Sequence, residues 1–368
     1  MKNIVFLVQK LINSGPENVV LDICRCLNRK QYTPAVISLM DEDARRSIED
    51  KFKELDIAIK HIGASSLQEE IQTSKVAKKV REVYFELGGD LLHVHSYHPS
   101  LISEYLRDIP VVNTLHNISG EDYLIKKGRI MGSYMRWRFD RSLKNSDYCV
   151  ALSDYMLNYY QGIAPRITKI PNGVSFQRNN TFDLDSFKHT HGISANQKII
   201  VVTGTVSQRK NTTYTVRELK QSNVDFVCFI VGDGDKIEEC KQITGADNRF
   251  KYEGFKSNVA EYLSAADLFV SSSLSEGLPL SVLEAINMGV PCLLSNISPH
   301  LEIVDTMDCK GVEAFELKDG HLKSKFEEII GKDIETDTIS RKAYELYSAQ
   351  VMAEKYEKLY DNVLSAKL

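Results

Sequence analysis

Leu268-Phe269-Val270-Ser271-Ser272-Ser273-Leu274-Ser275-Glu276-Gly277-Leu278-Pro279-Leu280-Ser281-Val282-Leu283-Glu284-Ala285 reads as strand, turn and helix in immediate succession. Residues 268–271 form a short run of strand length. Gly277 and Pro279 shape the turn, and Pro is favourable where a helix begins, which predicts a helix over residues 281–287. The amides of residues 280–282 are expected to point out of that helix unpaired. A helix N-terminus offers N–H donors and about half a positive charge, which suits a diphosphate.

The same alternation runs outward in both directions. Toward the N-terminus, residues 5–8, 34–38, 91–95, 111–115 and 148–151 read as buried parallel strands. Between them, residues 17–27, 42–55, 67–86 and 121–144 have helical periodicity or propensity. Ile170-Pro171-Asn172-Gly173-Val174 is a turn signal that closes this half. Residues 175–197 are polar and suit a linker with one short helix. The alternation then restarts, with strands at 199–203, 225–231, 268–271 and 291–295. The helices between them run roughly over 211–220, 235–242, 258–265 and 281–287, and residues 337–364 read as one long helical tail.

The predicted fold is therefore α/β, with two Rossmann-like doubly wound domains. Residues 1–174 form one domain and 175–349 the other, and a helix over about 350–368 packs back on the first. Ligands of open sheets sit beyond the carboxyl ends of the strands. Two such sheets facing each other are expected to enclose an interdomain cleft.

Several groups can carry chemistry. Glu276 and Glu284 stand eight residues apart, so one carboxylate can reach a sugar while the other reaches a ribose. The alternative is that both only complement a helix N-terminus. Val201-Val202-Thr203-Gly204-Thr205-Val206-Ser207-Gln208-Arg209-Lys210-Asn211 is a strand, a loop with two adjacent cations, and a helix. Cations at a strand exit neutralise a diphosphate as it leaves, unless the pair is merely solvated. Asn13-Ser14-Gly15-Pro16-Glu17-Asn18 reads as a loop after the first strand, where Gly15 permits close backbone approach to a ligand. His93 and His95 alternate on a strand, so their rings share a face. No third ligand follows at suitable spacing, and no metal is expected. His116 follows the 111–115 strand, where it can hydrogen-bond a donor sugar or a developing charge, or pack structurally under a loop.

The bulk properties narrow the classes. The chain has 368 residues, a formal charge of -4 and 43% hydrophobic residues, enough for two cores without the basic excess of a nucleic-acid binder. There is no G-x-x-x-x-G-K-[ST] phosphate loop and no G-x-G-x-x-G after the first strand. No signal peptide is read at Met1-Lys2-Asn3, and the apolar runs are of strand length rather than membrane-spanning. The seven cysteines (24, 26, 149, 228, 240, 292 and 309) read as reduced core thiols of a cytoplasmic protein.

Taken together, these segments resemble glycosyltransferase family 4, of the GT-B fold and the bacterial surface-polysaccharide type. The E-x7-E segment from Glu276 to Glu284 is the most specific part. Ala266-Asp267-Leu268-Phe269-Val270, Gly289-Val290-Pro291, Glu302-Ile303-Val304, Val231-Gly232-Asp233-Gly234, Pro171-Asn172-Gly173-Val174 and Thr114-Leu115-His116-Asn117 also match. The resemblance implies a retaining, metal-independent hexosyltransferase without a cofactor. Its donor would be a nucleotide-sugar, a UDP-sugar being the commonest in this family, and its acceptor a glycan or lipid-linked sugar. Glu276 would contact the donor sugar, Glu284 the ribose and Lys210 the diphosphate. Gly15 would line the diphosphate, His116 would stand beside the sugar, and Gly277, Leu278, Pro279 and Leu280 would bound the donor. Glu276, His116 and Lys210 are thus the expected catalytic residues. Two departures stand out. Gly204-Thr205 lacks the Arg that many relatives carry, so Arg209 is the candidate replacement. Pro16 removes one amide from the first loop. A GT-B sugar-nucleotide epimerase and a non-catalytic nucleotide-sugar-binding subunit are the alternatives.

Basic side chains crowd two helices of the N-terminal half. Lys75, Lys78, Lys79 and Arg81 lie on one. Lys126, Lys127, Arg129, Arg136, Arg138, Arg141 and Lys144 lie on the other, among Ile130, Met131, Tyr134 and Trp137. A basic helix with aromatic and aliphatic neighbours docks on anionic lipid, which predicts peripheral contact with the inner face of the membrane. A solvated charged face is the alternative.

Overall fold

A computed structural model describes residues 1–41, 47–175 and 182–366, and leaves the side chains of residues 66, 67, 69 and 126 out of the description. The chain divides into two compact units. One comprises Met1–Gly173 with Ala349–Leu368, the other Val174–Ser348.

The first unit is built on seven parallel strands: β1 (Lys2–Val8), β2 (Tyr32–Ser38), β3 (Ala58–His61), β4 (Leu91–His95), β5 (Val111–Thr114), β6 (Tyr148–Ala151) and β7 (Ile167–Lys169). Their order is β3-β2-β1-β4-β5-β6-β7. The strand order reverses between β1 and β4, which defines a topological switch point. The central strands are apolar because helices cover both sheet faces. Val5, Leu7, Leu92, Val94 and Val111 form one side of that core with Val76, Val80 and Tyr84.

The second unit carries six parallel strands: β8 (Lys198–Thr203), β9 (Phe226–Val231), β10 (Phe250–Gly254), β11 (Leu268–Ser271), β12 (Cys292–Ser295) and β13 (Val312–Phe315). The order β10-β9-β8-β11-β12-β13 puts its switch point between β8 and β11. Because all strands run the same way, the segments leaving β8, β9, β11 and β12 gather at one edge. Register confirms this, with Thr203 opposite Val231 and Ser271 opposite Leu294.

Several sequence expectations need correction. The predicted helix over residues 67–86 is two helices, Ser66–Ile71 and Thr73–Glu86, broken at Gln72. The helix expected over 121–144 runs Ser119–Ser142 and is interrupted at Gly128, whose φ of 72° and ψ of 178° are not helical. The tail expected as one helix over 337–364 is Thr336–Tyr347 and Ala349–Ser365, separated by an extended Ser348. The first packs on the Leu280–Asn287 helix of the second unit, the other on the Gly15–Cys26 helix of the first. The 42–55 helix and the 175–197 linker lie partly outside the described residues, and their described parts are helical over Glu49–Lys53 and Leu184–His191.

The Ala349–Ser365 helix is fixed by its tyrosines. Tyr356 Oη lies 2.9 Å from Thr114 Oγ1, and Tyr360 Oη lies 2.7 Å from His93 Nδ1. Lys2 pairs with Asp361 at 2.7 Å. These contacts couple the end of the chain to the middle of β4, the end of β5 and the start of β1.

Candidate active site

The switch point of the second sheet brings the predicted carboxylate and cations together. Glu276 is almost fully buried and sits between two cations. Arg209 donates to Oε2 at 2.6 Å, and Lys210 Nζ lies 2.7 Å from Oε1. Ser273 donates to the same Oε1 at 2.8 Å, and Arg209 also donates to the Ser275 carbonyl at 2.9 Å. Burial alone would raise this carboxyl. The Lys210 and Arg209 cations outweigh burial and hold it well below the usual carboxylate range.

Local sequence explains why the loops meet. Ser272 donates to the Asn211 carbonyl at 2.8 Å, and the Leu274 amide donates to the Arg209 carbonyl at 2.8 Å. Ser272 and Leu274 thus satisfy backbone carbonyls of the loop after β8 and fix where Arg209 and Lys210 point. Gly204 holds φ 114°, a backbone conformation that residues with side chains rarely adopt, where the loop after β8 begins.

The following helix begins at Leu280 with Pro279 at the N-cap, one residue earlier than expected, so Pro279 is not its first helical residue. The Val282 amide is bonded to the Pro279 carbonyl at 3.1 Å, which removes it from the set of expected free donors. Among the described residues, no backbone carbonyl accepts from Leu280 or Ser281. Gly277 and Leu278 form the turn before them. Glu284 lies in the second turn, partly exposed.

One residue of this site had no counterpart in the sequence reading. His300, on the Ser298–Met307 helix after β12, is fully buried. Its Nδ1 lies 3.0 Å from the Ser295 carbonyl, and Ser295 Oγ donates to the Ser273 carbonyl at 2.6 Å. Burial pulls its imidazole down to about 4, with Glu276 opposing, so the ring is neutral near pH 7. Its Nε2 is buried without a hydrogen-bond partner, as is Thr203 Oγ1 at the end of β8. Unpaired buried polar atoms cost about 1–3 kcal/mol each, and both stand at the strand edge where a ligand of this sheet would bind. Ser298-Pro299, shortly after β12, marks a helix start but does not say which way the His300 ring turns.

In the first unit, His116 follows β5, which ends at Thr114. His116 Nε2 lies 2.9 Å from His95 Nδ1, and burial pulls its ring down to about 3. It is therefore a neutral hydrogen-bonding group. His93 and His95 share a face, with ring centroids 4.2 Å apart. His93 is occupied by Tyr360 and Thr114, and among the described residues no three side chains form a metal-ligand group.

Gly15 does not lie in a loop. It opens the Gly15–Cys26 helix, with Ser14 at the N-cap and Pro16 in the first turn. Ser14 donates to the nearly buried Glu17, and Asn18 donates to Asn13 at 3.0 Å. Burial pushes the Glu17 carboxyl up to about 7, only partly offset by Ser14. A carboxyl that titrates higher when folded holds its proton more tightly in the native state. Stability is therefore lost as pH rises from 4.5 through about 7, by roughly 3 kcal/mol. Glu17→Gln is expected to flatten that dependence and to be more stable than the parent at about pH 8. Urea denaturation across that pH series checks it, and unchanged slopes would count against it.

Comparison with known proteins completes the picture. The chain is 28% identical over 232 residues to UDP-Gal:alpha-D-GlcNAc-diphosphoundecaprenol alpha-1,3-galactosyltransferase of Escherichia coli; the match covers 57% of this chain and spans 58% of that protein's length. It is 24% identical over 308 residues to N-acetyl-alpha-D-glucosaminyl L-malate synthase of Bacillus anthracis, covering 78% of this chain and 79% of that one. The crystal structure of Anabaena HepE in complex with UDP and glucose superposes with a TM-score of 0.80 at 17% identity, covering 98% of this chain and 100% of that one. The fold is GT-B, two Rossmann-like domains. Residues 13–178 match the family model Glycosyltransferase Family 4, and residues 184–346 match Glycosyl transferases group 1. The chain belongs to the family 4 glycosyltransferases.

Proposed function

We propose that the protein is a retaining transferase that moves a hexose or N-acetylhexosamine from a UDP-sugar to a glycan or lipid-linked acceptor in bacterial polysaccharide biosynthesis. The observation that carries this reading is the cluster at the β8–β11 switch point. Arg209 and Lys210 are brought together on the buried Glu276 carboxylate, at the sheet edge that also bears the Leu280–Asn287 helix N-terminus. Two adjacent cations beside a helix N-terminus suit a donor diphosphate. The names of relatives support the donor and acceptor classes: one uses UDP-Gal and a diphosphoundecaprenol-linked sugar, and HepE is seen with UDP and glucose.

In this mechanism the acceptor hydroxyl oxygen bonds to the anomeric carbon on the face from which the diphosphate departs. The anomeric C–O bond breaks through an oxocarbenium-like state, and the acceptor proton passes to a phosphate oxygen. Lys210 and the helix amides stabilise the departing charge, Glu276 accepts from sugar hydroxyls, and Glu284 holds the ribose. His116 hydrogen-bonds the sugar as a neutral ring. These groups supply the charge stabilisation without a divalent metal.

Thermal shift with UDP-, GDP- and ADP-sugars tests the donor. UDP-sugars are expected to raise the melting temperature most, and Lys210→Ala to remove the rise. No response to any nucleotide sugar would overturn the reading. Radiolabelled transfer should survive EDTA, and the anomeric configuration of the product reports retention.

The same reading includes contact with anionic membrane. The chain turns a corner at Gly128, where Gly132 packs against the Tyr123 backbone. Exposed Lys127 precedes that corner and exposed Arg129, Ile130 and Met131 follow it, Ile130 being 91% accessible. Cations around an apolar tip suit anionic headgroups. No helix of the described residues is long and apolar enough to cross a membrane. Flotation with phosphatidylglycerol vesicles is expected, and weakened by Ile130→Asp. Equal flotation with phosphatidylcholine, or none, would remove the idea.

A further inference from the structure

A second concave site lies wholly within the first unit, between the start of the Thr73–Glu86 helix, the end of the Tyr97–Ser103 helix and the later half of the Ser119–Ser142 helix. It is a cavity of about 280 Å³, just under the ~300–1,000 Å³ typical of drug-sized ligands. Tyr105, Tyr134 and Trp137 line it, together with Glu70, Thr73 and Arg138. The three aromatic side chains are the unusual feature, since Trp137 is 55% exposed and Tyr105 51%. Large aromatic rings left open to water beside polar groups mark recognition surfaces.

The polar groups of the cavity carry no net charge. Arg138 faces Glu70 at 3.5 Å, and Arg141 donates to Glu104 at 3.0 Å. Each guanidinium has its own carboxylate, so a phosphate or anionic headgroup entering here would have to break a pair. A neutral ligand with many hydroxyls would not, because carboxylate oxygens accept from hydroxyls while guanidinium N–H groups donate to them. Arg138 also donates to Tyr134 Oη at 3.0 Å, which holds that ring in place.

The site is tied to the carboxyl edge of its sheet. Glu70 Oε2 lies 3.5 Å from His98 Nε2, and His98 Nδ1 lies 2.8 Å from Gln9 Nε2, just after β1. Gln9 and His98 leave β1 and β4, the two strands that flank this sheet's switch point. The polar chain thus runs from the expected ligand edge to the cavity wall.

We propose that this cavity is a subsite for one neutral pyranose ring of the acceptor, with the Tyr134 and Trp137 rings against its apolar C–H face and Glu70 and Arg138 on its hydroxyls. The inference rests on the transferase reading above and names the acceptor chemistry that reading leaves open. The exposed cations at the Gly128 corner form a separate surface.

The chain contains a single tryptophan, Trp137, so its fluorescence reports on this cavity alone. The test titrates the full-length protein with methyl glycosides of glucose, galactose, mannose, N-acetylglucosamine and N-acetylgalactosamine. At least one is expected to shift the emission saturably, with a dissociation constant on the order of millimolar, as befits one small polar ring. Glu70→Gln and Tyr134→Ala should each weaken that binding about tenfold with unchanged circular dichroism, which corresponds to ~1.4 kcal/mol. Absence of any saturable shift, or a shift that survives both substitutions, would overturn the subsite. A response to anionic vesicles but to no glycoside would overturn it equally. Donor binding is read separately by the nucleotide-sugar thermal shift on Lys210→Ala. Failure there removes the transferase reading and leaves the Trp137 titration standing as its own result.

Discussion

Glu276→Gln is expected to abolish most transfer, lowering turnover on the order of 10²–10³-fold, and to destabilise the second unit by about 3–5 kcal/mol. The stability effect follows from the company the carboxylate keeps. Arg209 and Lys210 stand 2.6 and 2.7 Å from its two oxygens, and all three side chains are largely removed from water. Withdrawing the negative charge leaves two cations facing each other with only an amide oxygen between them. The folded carboxyl titrates below its ordinary value of 4.5, so its contribution is present above that pH and is lost as acid protonates it. The parent is therefore expected to lose stability below about pH 4.5, where Glu276→Gln should lose less.

The activity effect has two parts. Glu276 is the proposed acceptor for sugar hydroxyls, and it also holds Lys210 and Arg209 at fixed positions before the donor arrives. Pre-set cations do not need to reorganise as charge develops on the leaving diphosphate. Arg209→Ala should cost less turnover, since Lys210 still holds Oε1. Its cost should still exceed that of losing a surface cation, because Arg209 also caps the Ser275 carbonyl. Transfer assays at saturating donor, with urea denaturation alongside, separate the two parts. Full turnover in both variants would remove Glu276 from the chemistry.

The parts of the fold that were legible in the sequence share one physical cause. Every strand that reads as a continuous apolar run, such as β4, β6 and β11, is an inner strand with neighbours on both sides and helices on both faces. The four strands absent from the sequence reading are β3, β7, β10 and β13, and these are the edges of the two sheets. An edge strand needs less apolar surface, and Lys60, Lys169, Lys251 and Glu313 sit in these four. Helix breaks were invisible where neither Gly nor Pro marks them, as at Gln72 and Ser348. The Gly15 error was avoidable. Ser14-Gly15-Pro16-Glu17 has a cap residue, a first-turn Pro and an acidic residue three positions on, which is a helix-start signature. Glu276 and Lys210 were each legible as ligand groups on loops leaving strands, but their ion pair was not, because the sequence does not say that β8 and β11 are neighbours. Nor was His300, because nothing in Ser298-Pro299-His300 says that its ring turns inward.

Gly232→Ala should be among the most disruptive single changes in the second unit, although it adds one methyl and changes no charge. Gly232 directly follows β9, and its loop lies flat on the loop after β8. Three backbone hydrogen bonds stitch the two: Gly204 N to Val231 O at 3.1 Å, Val206 N to Asp233 O at 3.0 Å, and Lys236 N to Val206 O at 3.1 Å. A methyl on Gly232 would overlap the Gly204 carbonyl oxygen and lie 2.8 Å from its carbon. No rotamer relieves this, because both partners are backbone. The Gly204–Lys210 loop must move, and with it the two cations that meet Glu276. Overpacking typically costs about 1–3 kcal/mol, and rupture of the stitched loops should bring this case to at least the upper end. Donor binding should fall further than stability, since Lys210 loses its position even where the sheet survives. Denaturation midpoints and the nucleotide-sugar thermal shift measure the two losses separately. A Gly232→Ala protein with parental stability and a parental donor response would show that the loop after β8 yields freely, and that the Glu276 cluster is not held by the packing described.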